Sequence, residues 1–150
     1  MTSILNKAEN VTTARVIDAR GPRFAATITT LVLGTALVTG SAWLLLAQTI
    51  VFAIGAFSGP QFTPYAWIFK NFVKPRLSGA TPTEDVRPPQ FAQSVGLIFG
   101  LVATTSAFTG LALVATIATG FALAAAFLNA AFNFCLGCEI YLLLLRARRA

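Results

Sequence analysis

Polar and apolar residues lie along this chain in blocks. After a polar start, no Asp, Glu, Lys or Arg occurs from Phe24 to Phe69, nor again from Pro88 to Cys138. About 20 apolar residues cross the hydrocarbon core of a bilayer as a helix, so each block has the length for two crossings. The breaks within the blocks, Gly40-Ser41 and Thr109-Gly110, are tight-turn residues, which predicts spans over 22–39, 41–58, 90–108 and 111–132. The expected fold class is an all-α membrane protein. Its four transmembrane helices form two hairpins, with short interfacial helices after helix 2 and helix 4.

The remaining stretches are short. Residues 1–20 read as an N-terminal arm with a strand-like piece around Arg15-Val16-Ile17-Asp18, and 21–150 as a single four-helix domain. The loop 59–89 opens with Gly59-Pro60, which stops a helix. An aromatic and Lys-bearing segment follows from Pro64 to Pro75, suited to a helix in the headgroup region, and then an exposed, proline-rich run from Ser78 to Pro89. Gly137 is a weak point for a helix and is expected to break the last span, leaving 135–149 as an interfacial tail. Gly96 and Gly100 give the third span a small-xxx-small face for close helix packing. The two halves also echo each other, Pro22-Arg23-Phe24-Ala25 against Pro89-Gln90-Phe91-Ala92, and two crossings per unit imply parallel repeats about an axis normal to the membrane.

Composition supports the lipid reading. Hydrophobic residues make up 56% of the chain and charged residues 11%, where soluble domains hold about 25% charged residues. All 11 Lys and Arg fall in the arm, the central loop or the tail, which an even number of spans places on one side. The positive-inside bias makes that side, with both termini, cytoplasmic. It also explains the net charge of +6 without nucleic acid as a partner. The polar, mixed-charge start lacks a signal-peptide pattern, so the apolar blocks are expected to be retained. Tyr65, Trp43, Trp67 and Tyr141 suit the bilayer interface.

Chemistry is narrowed by absence. With no His in the chain, Ser-His-Asp catalysis and imidazole ligation are excluded. Glu9, Asp18, Glu84 and Asp85 read as solvated surface, and nothing calls for a cofactor. The reactive candidates are Cys135 and Cys138, whose spacing puts both sulfurs on one face at a helix start. They fit thiol-disulfide or sulfur-transfer chemistry. They also fit small packing residues, a structural disulfide, or half of a metal or iron-sulfur site completed by a second chain in a homo-oligomer. Under the functional reading Cys138, in the first turn after Gly137, is the favoured thiolate and Glu139 a proton partner. Asn129 and Asn133, four apart, share a helix face ahead of the pair and would line a polar path or bond across helices, with Gln48 a candidate partner. The reading from another class is a non-enzymatic accessory subunit or a passage for a small solute.

Several segments carry a family resemblance: Gly21-Pro22-Arg23-Phe24-Ala25, Gly55-Ala56-Phe57, Pro64-Tyr65, Pro88-Pro89-Gln90-Phe91-Ala92-Gln93, and above all Phe134-Cys135-Leu136-Gly137-Cys138-Glu139-Ile140-Tyr141. Together they resemble the bacterial membrane family known as domain of unknown function 4395, over roughly Ala19 to Arg146. The resemblance implies a multi-pass protein of the bacterial plasma (inner) membrane. The family's company with thioredoxin-like and sulfurtransferase proteins implies a partner of that kind.

Overall fold

A computed structural model describes residues 16–77 and 82–149; most of the N-terminal arm lies outside the described residues. Strand β1 (Val16–Asp18) leads into α1 (Arg20–Thr39) and α2 (Ala42–Phe57). A 3-10 turn (Pro60–Phe62), the short α3 (Pro64–Ile68), a π-type turn (Phe69–Val73) and a second 3-10 turn (Lys74–Arg76) follow. Strand β2 (Thr83–Asp85) then leads into α4 (Arg87–Thr109), α5 (Ala112–Phe132) and α6 (Leu136–Arg149).

Helices α1, α4 and α5 are long and apolar enough to cross a membrane. Helix α2 is apolar but has 16 residues, about 24 Å of rise against a hydrocarbon core of about 30 Å. The four pack as a closed ring, with α2 against α4, α4 against α5, α5 against α1 and α1 against α2. Its core is Leu33, Ala36, Leu45, Phe52, Ala103, Ala118 and Ala122, where small residues let the backbones approach. Glycines on α4 mark the closest approach. A Cβ on Gly96 would meet the Phe52 ring at 2.8 Å, and one on Gly100 would meet Thr49 Oγ1 at 2.6 Å.

Polarity is distributed as lipid requires. Leu31, Ile50, Leu101, Leu113, Ile117 and Phe121 are exposed on the outside, while Thr29, Gln48, Thr49, Thr104 and Thr119 are buried. The buried groups pair: Thr49 and Thr104 share a hydroxyl hydrogen bond at 2.9 Å, and Gln48, 1% exposed, donates to Thr29 at 3.4 Å. Tyr65 donates its hydroxyl to Gln48 Oε1 at 2.6 Å. The sequence reading gave Tyr65 an interfacial role and linked Gln48 to the Asn pair. In the fold Tyr65 reaches into the bundle, because α3 packs on α1 at the end of α2.

Two departures from the sequence reading have local causes. Helix α4 starts at Arg87, ahead of the expected 90, because Pro88 and Pro89 occupy its first turn, where no intrahelical N–H is lost. The run expected as loop also contributes β2, which pairs antiparallel with β1 in the register Val16↔Asp85, Ile17↔Glu84 and Asp18↔Thr83.

That register exposes a two-fold relation. Aligning Asp18-Ala19-Arg20-Gly21-Pro22 with Asp85-Val86-Arg87-Pro88-Pro89 makes Ile17 the counterpart of Glu84, the residue it faces. A strand that pairs antiparallel with its own repeat, centred on one equivalent pair, is what a two-fold axis through that pair produces. Each Asp clamps its helix start in the same way. Asp18 accepts from Arg20 N at 3.0 Å and from its guanidinium at 3.0 and 3.1 Å, and Asp85 accepts from Arg87 N at 2.9 Å and ion-pairs with its guanidinium. Arg23 Nε donates to Ala130 O at 3.0 Å, while its counterpart Gln90 donates to Ala56 O at 2.9 Å. Phe24 stacks on Phe69 at 5.7 Å, and Phe91 on Tyr141 at 5.6 Å.

Candidate functional site

The site forms where α5 gives way to α6. Asn133 adopts the left-handed conformation (φ 54°, ψ 33°) that ends α5, and Asn is the non-glycine residue best suited to it. The amides of Asn133 and Phe134 return to the carbonyls of Asn129 and Leu128 at 3.1 and 3.2 Å. The break expected at Gly137 therefore falls four residues earlier, and Gly137 lies inside the first turn of α6. Its role is contact: a Cβ there would meet Ala92 Cβ at 2.5 Å and Ala92 Cα at 2.6 Å, so the absent side chain lets α6 rest on the α4 backbone.

Moving the break changes which sulfur caps the helix. Cys135 precedes α6, and its Sγ accepts the Cys138 amide at 3.2 Å, in the manner of an N-cap. The sequence reading favoured Cys138 as the helix-start sulfur; the geometry gives that place to Cys135. The two sulfurs stand at disulfide distance, with Cα atoms 5.2 Å apart. Both residues are half-buried.

Two cavities meet at Cys135. The first, about 250 Å³, is polar and brings together the five residues singled out from sequence, Cys135, Cys138, Glu139, Asn129 and Asn133. The amides of Asn129 and Asn133 thus flank a water-accessible vestibule, and no hydrogen bond joins either side chain to Gln48. The same wall holds Arg23 and Glu84, which sequence reasoning did not single out. Burial pushes the Glu84 carboxyl above the usual carboxylate range. A signal for both was available in the repeat: Glu84 stands where the first half has Ile17, and Arg23 where the second has Gln90.

The second cavity, about 280 Å³, lies within the bundle and is lined mainly by apolar residues, Ala and Phe among them. Cys135, Asn129 and Pro22 belong to both cavities. Among the described residues, no group of three or more His, Cys, Asp or Glu side chains is placed to hold a metal ion.

The family described as Domain of unknown function (DUF4395) matches the chain over residues 17–146, and the chain belongs to that family. No curated protein and no solved structure matches it.

Proposed function

We propose that this member of the DUF4395 family is a membrane-embedded thiol-disulfide exchange protein whose working groups are Cys135 and Cys138. The observation that carries the reading is the placement of a disulfide-spaced pair on the wall of a charged vestibule, at a helix start, beside carboxyl groups. A helix start favours thiolate over thiol, because unpaired amides and the helix dipole face the sulfur.

The roles divide by position. Cys138 opens on the vestibule, so the thiolate of a soluble dithiol attacks its Sγ and forms a mixed disulfide, while Cys135 leaves as a thiolate held by the Cys138 amide. The partner's second thiol then attacks its own sulfur in the mixed disulfide and releases Cys138. The partner ends as a disulfide and this chain as a dithiol, with two electrons transferred. Glu84 and Glu139, on the same wall, take up and return the protons. A thioredoxin-like protein supplies the chemistry the vestibule would meet.

The full reading places all four long helices across the bacterial inner membrane, α2 being completed by the turn at its end, with the strand pair and vestibule facing the cytoplasm. Lys and Arg at that end, and uncharged turns at the other, support the orientation. The test uses the full chain in lipid vesicles and a reduced thioredoxin-type protein. The expected result is oxidation of one partner dithiol per disulfide-bonded chain, a mixed disulfide trapped on Cys138 when the partner lacks its second thiol, and no oxidation by C135S or C138S. Unchanged oxidation in both variants would sink the reading. After reduction, a membrane-impermeant thiol reagent should label the pair in inverted vesicles and not in whole cells; the reverse pattern would overturn the orientation.

A further inference from the structure

The two halves of the bundle differ at the helix that follows each hairpin. Helix α3 begins at Thr63, whose Oγ1 accepts the Ala66 amide at 3.2 Å, as Cys135 Sγ accepts that of Cys138. With Thr63 matched to Cys135, Ala66 matches Cys138, Phe69 matches Tyr141, and Tyr65 matches Gly137. Tyr65 fills its half by reaching Gln48. Gly137 has no side chain; Ala92 takes the place of a Cβ there, and the cavity lies alongside.

We propose that this space binds the ring of a membrane quinone, which reoxidises the Cys pair; the inference rests on the thiol-exchange reading above. Four observations converge on that occupant. The walls are apolar, with the rings of Phe52, Phe99 and Phe121 among them, which suits a flat, lipid-soluble ring. Phe121 is itself 62% exposed on the bundle surface, so the cavity opens sideways, where lipid lies. Cys135, the capping sulfur, is on its wall, so the electron donor touches the same space. Finally, Gln93 lines the cavity, and its Oε1, buried against Gly55 of α2, has no hydrogen-bond partner. An orphaned buried amide oxygen asks for a donor. A turn of the Gln93 side chain into the cavity lets a quinol hydroxyl supply one, and the amide N–H₂ in turn serves a quinone carbonyl. The counterpart of Gln93 in the first half is Ala26, so this polar group belongs to the half that carries the sulfurs.

The step balances. The Sγ–Sγ bond forms as the reduced pair loses two electrons and two protons, and the quinone's two carbonyl oxygens take them up as hydroxyls. Reduction by a soluble dithiol through the vestibule and oxidation by a quinone from the lipid side then meet at Cys135, the sulfur common to both cavities.

The experiment uses the full chain, reduced, in anaerobic phosphatidylethanolamine-phosphatidylglycerol vesicles with or without a short-chain ubiquinone or menaquinone. Free thiols are counted by alkylation and quinol by its absorbance. We expect one quinol formed per chain with loss of both thiols, and stable thiols in quinone-free vesicles. Gln93→Leu should slow quinol formation by about tenfold, the scale of one lost hydrogen bond. Ala126→Phe, which fills the cavity, should abolish it. Both variants should still exchange with the soluble dithiol. If the wild type exchanges thiols but neither quinone is reduced, the quinone site is overturned and thiol exchange stands. If exchange itself is missing, both are overturned.

Discussion

The two halves of this molecule are built alike and finished differently. Each has a short strand, an Asp-x-Arg clamp, a proline in the first helical turn, a hairpin turned by a left-handed glycine (Gly40 or Gly110), and a capped helix packed back on the first. In the first half the cap is Thr63 and the following turn sends Tyr65 inward to satisfy Gln48. In the second, the cap is Cys135, and Gly137 rests on Ala92 at the edge of a cavity. The half with the inward tyrosine holds no sulfur there; the half with the glycine has Cys135 on the wall of the cavity.

The sharpest way to break that comparison is at the caps. Cys135→Ser should reduce thiol exchange to background, whereas Thr63→Ser, which keeps a capping hydroxyl, should leave both exchange and stability unchanged; thiol-transfer rates and unfolding in mixed micelles would show this. Tyr65→Phe comes next. It removes the donor to a 1%-exposed Gln48 and should cost about 1–3 kcal/mol, measured by the same unfolding. At the matched position, Gly137→Ala drives a methyl into the Ala92 backbone and should cost about 1–3 kcal/mol. Gly34→Ala, where a Cβ meets nothing within 4 Å, should be neutral or better. A smaller effect is expected at the α2–α4 seam, where Thr49→Val breaks the link to Thr104 for about 0.6 kcal/mol.

The smallest effect concerns pH at the strand pair. The Asp18 carboxyl is held below its usual range, first by the hydrogen bond from Arg20. Its stabilising share is therefore complete above the ordinary Asp range and lost as pH falls through the lowered value. Glu84, raised by burial, acts in the opposite sense, since the folded state holds its proton longer. Its share weakens as pH rises from the ordinary Glu range through the raised value. Hydrogen exchange at the Ala19 amide, which donates to Pro82 O at 2.9 Å, should be slowest between those limits after correction for intrinsic rates.

Much of this was legible in residue order. Charge-free blocks longer than a single crossing, split by glycines, announce apolar helices in pairs, because helix length and turn chemistry are local properties. The echo between Pro22-Arg23-Phe24-Ala25 and Pro89-Gln90-Phe91-Ala92 pointed to a repeat, and the spacing of Cys135 and Cys138 to two sulfurs close enough for a disulfide. What misled was Gly137. A glycine reads as a helix breaker from propensity alone, yet here it serves a close approach to Ala92, and the break belongs to Asn133. That one displacement moved the capping sulfur from Cys138 to Cys135.

The primary structure alone determined the long apolar helices, the hairpins and the spacing that brings two sulfurs together, since each follows from hydropathy, turn residues or side chains a few positions apart. The tertiary structure alone decided that Arg23 and Glu84 share a wall with the sulfurs, that Tyr65 seals one half, and that Cys135 borders two cavities. Those facts depend on which helix faces lie against each other across the two-fold axis, and packing between segments far apart in the chain leaves no local pattern to read.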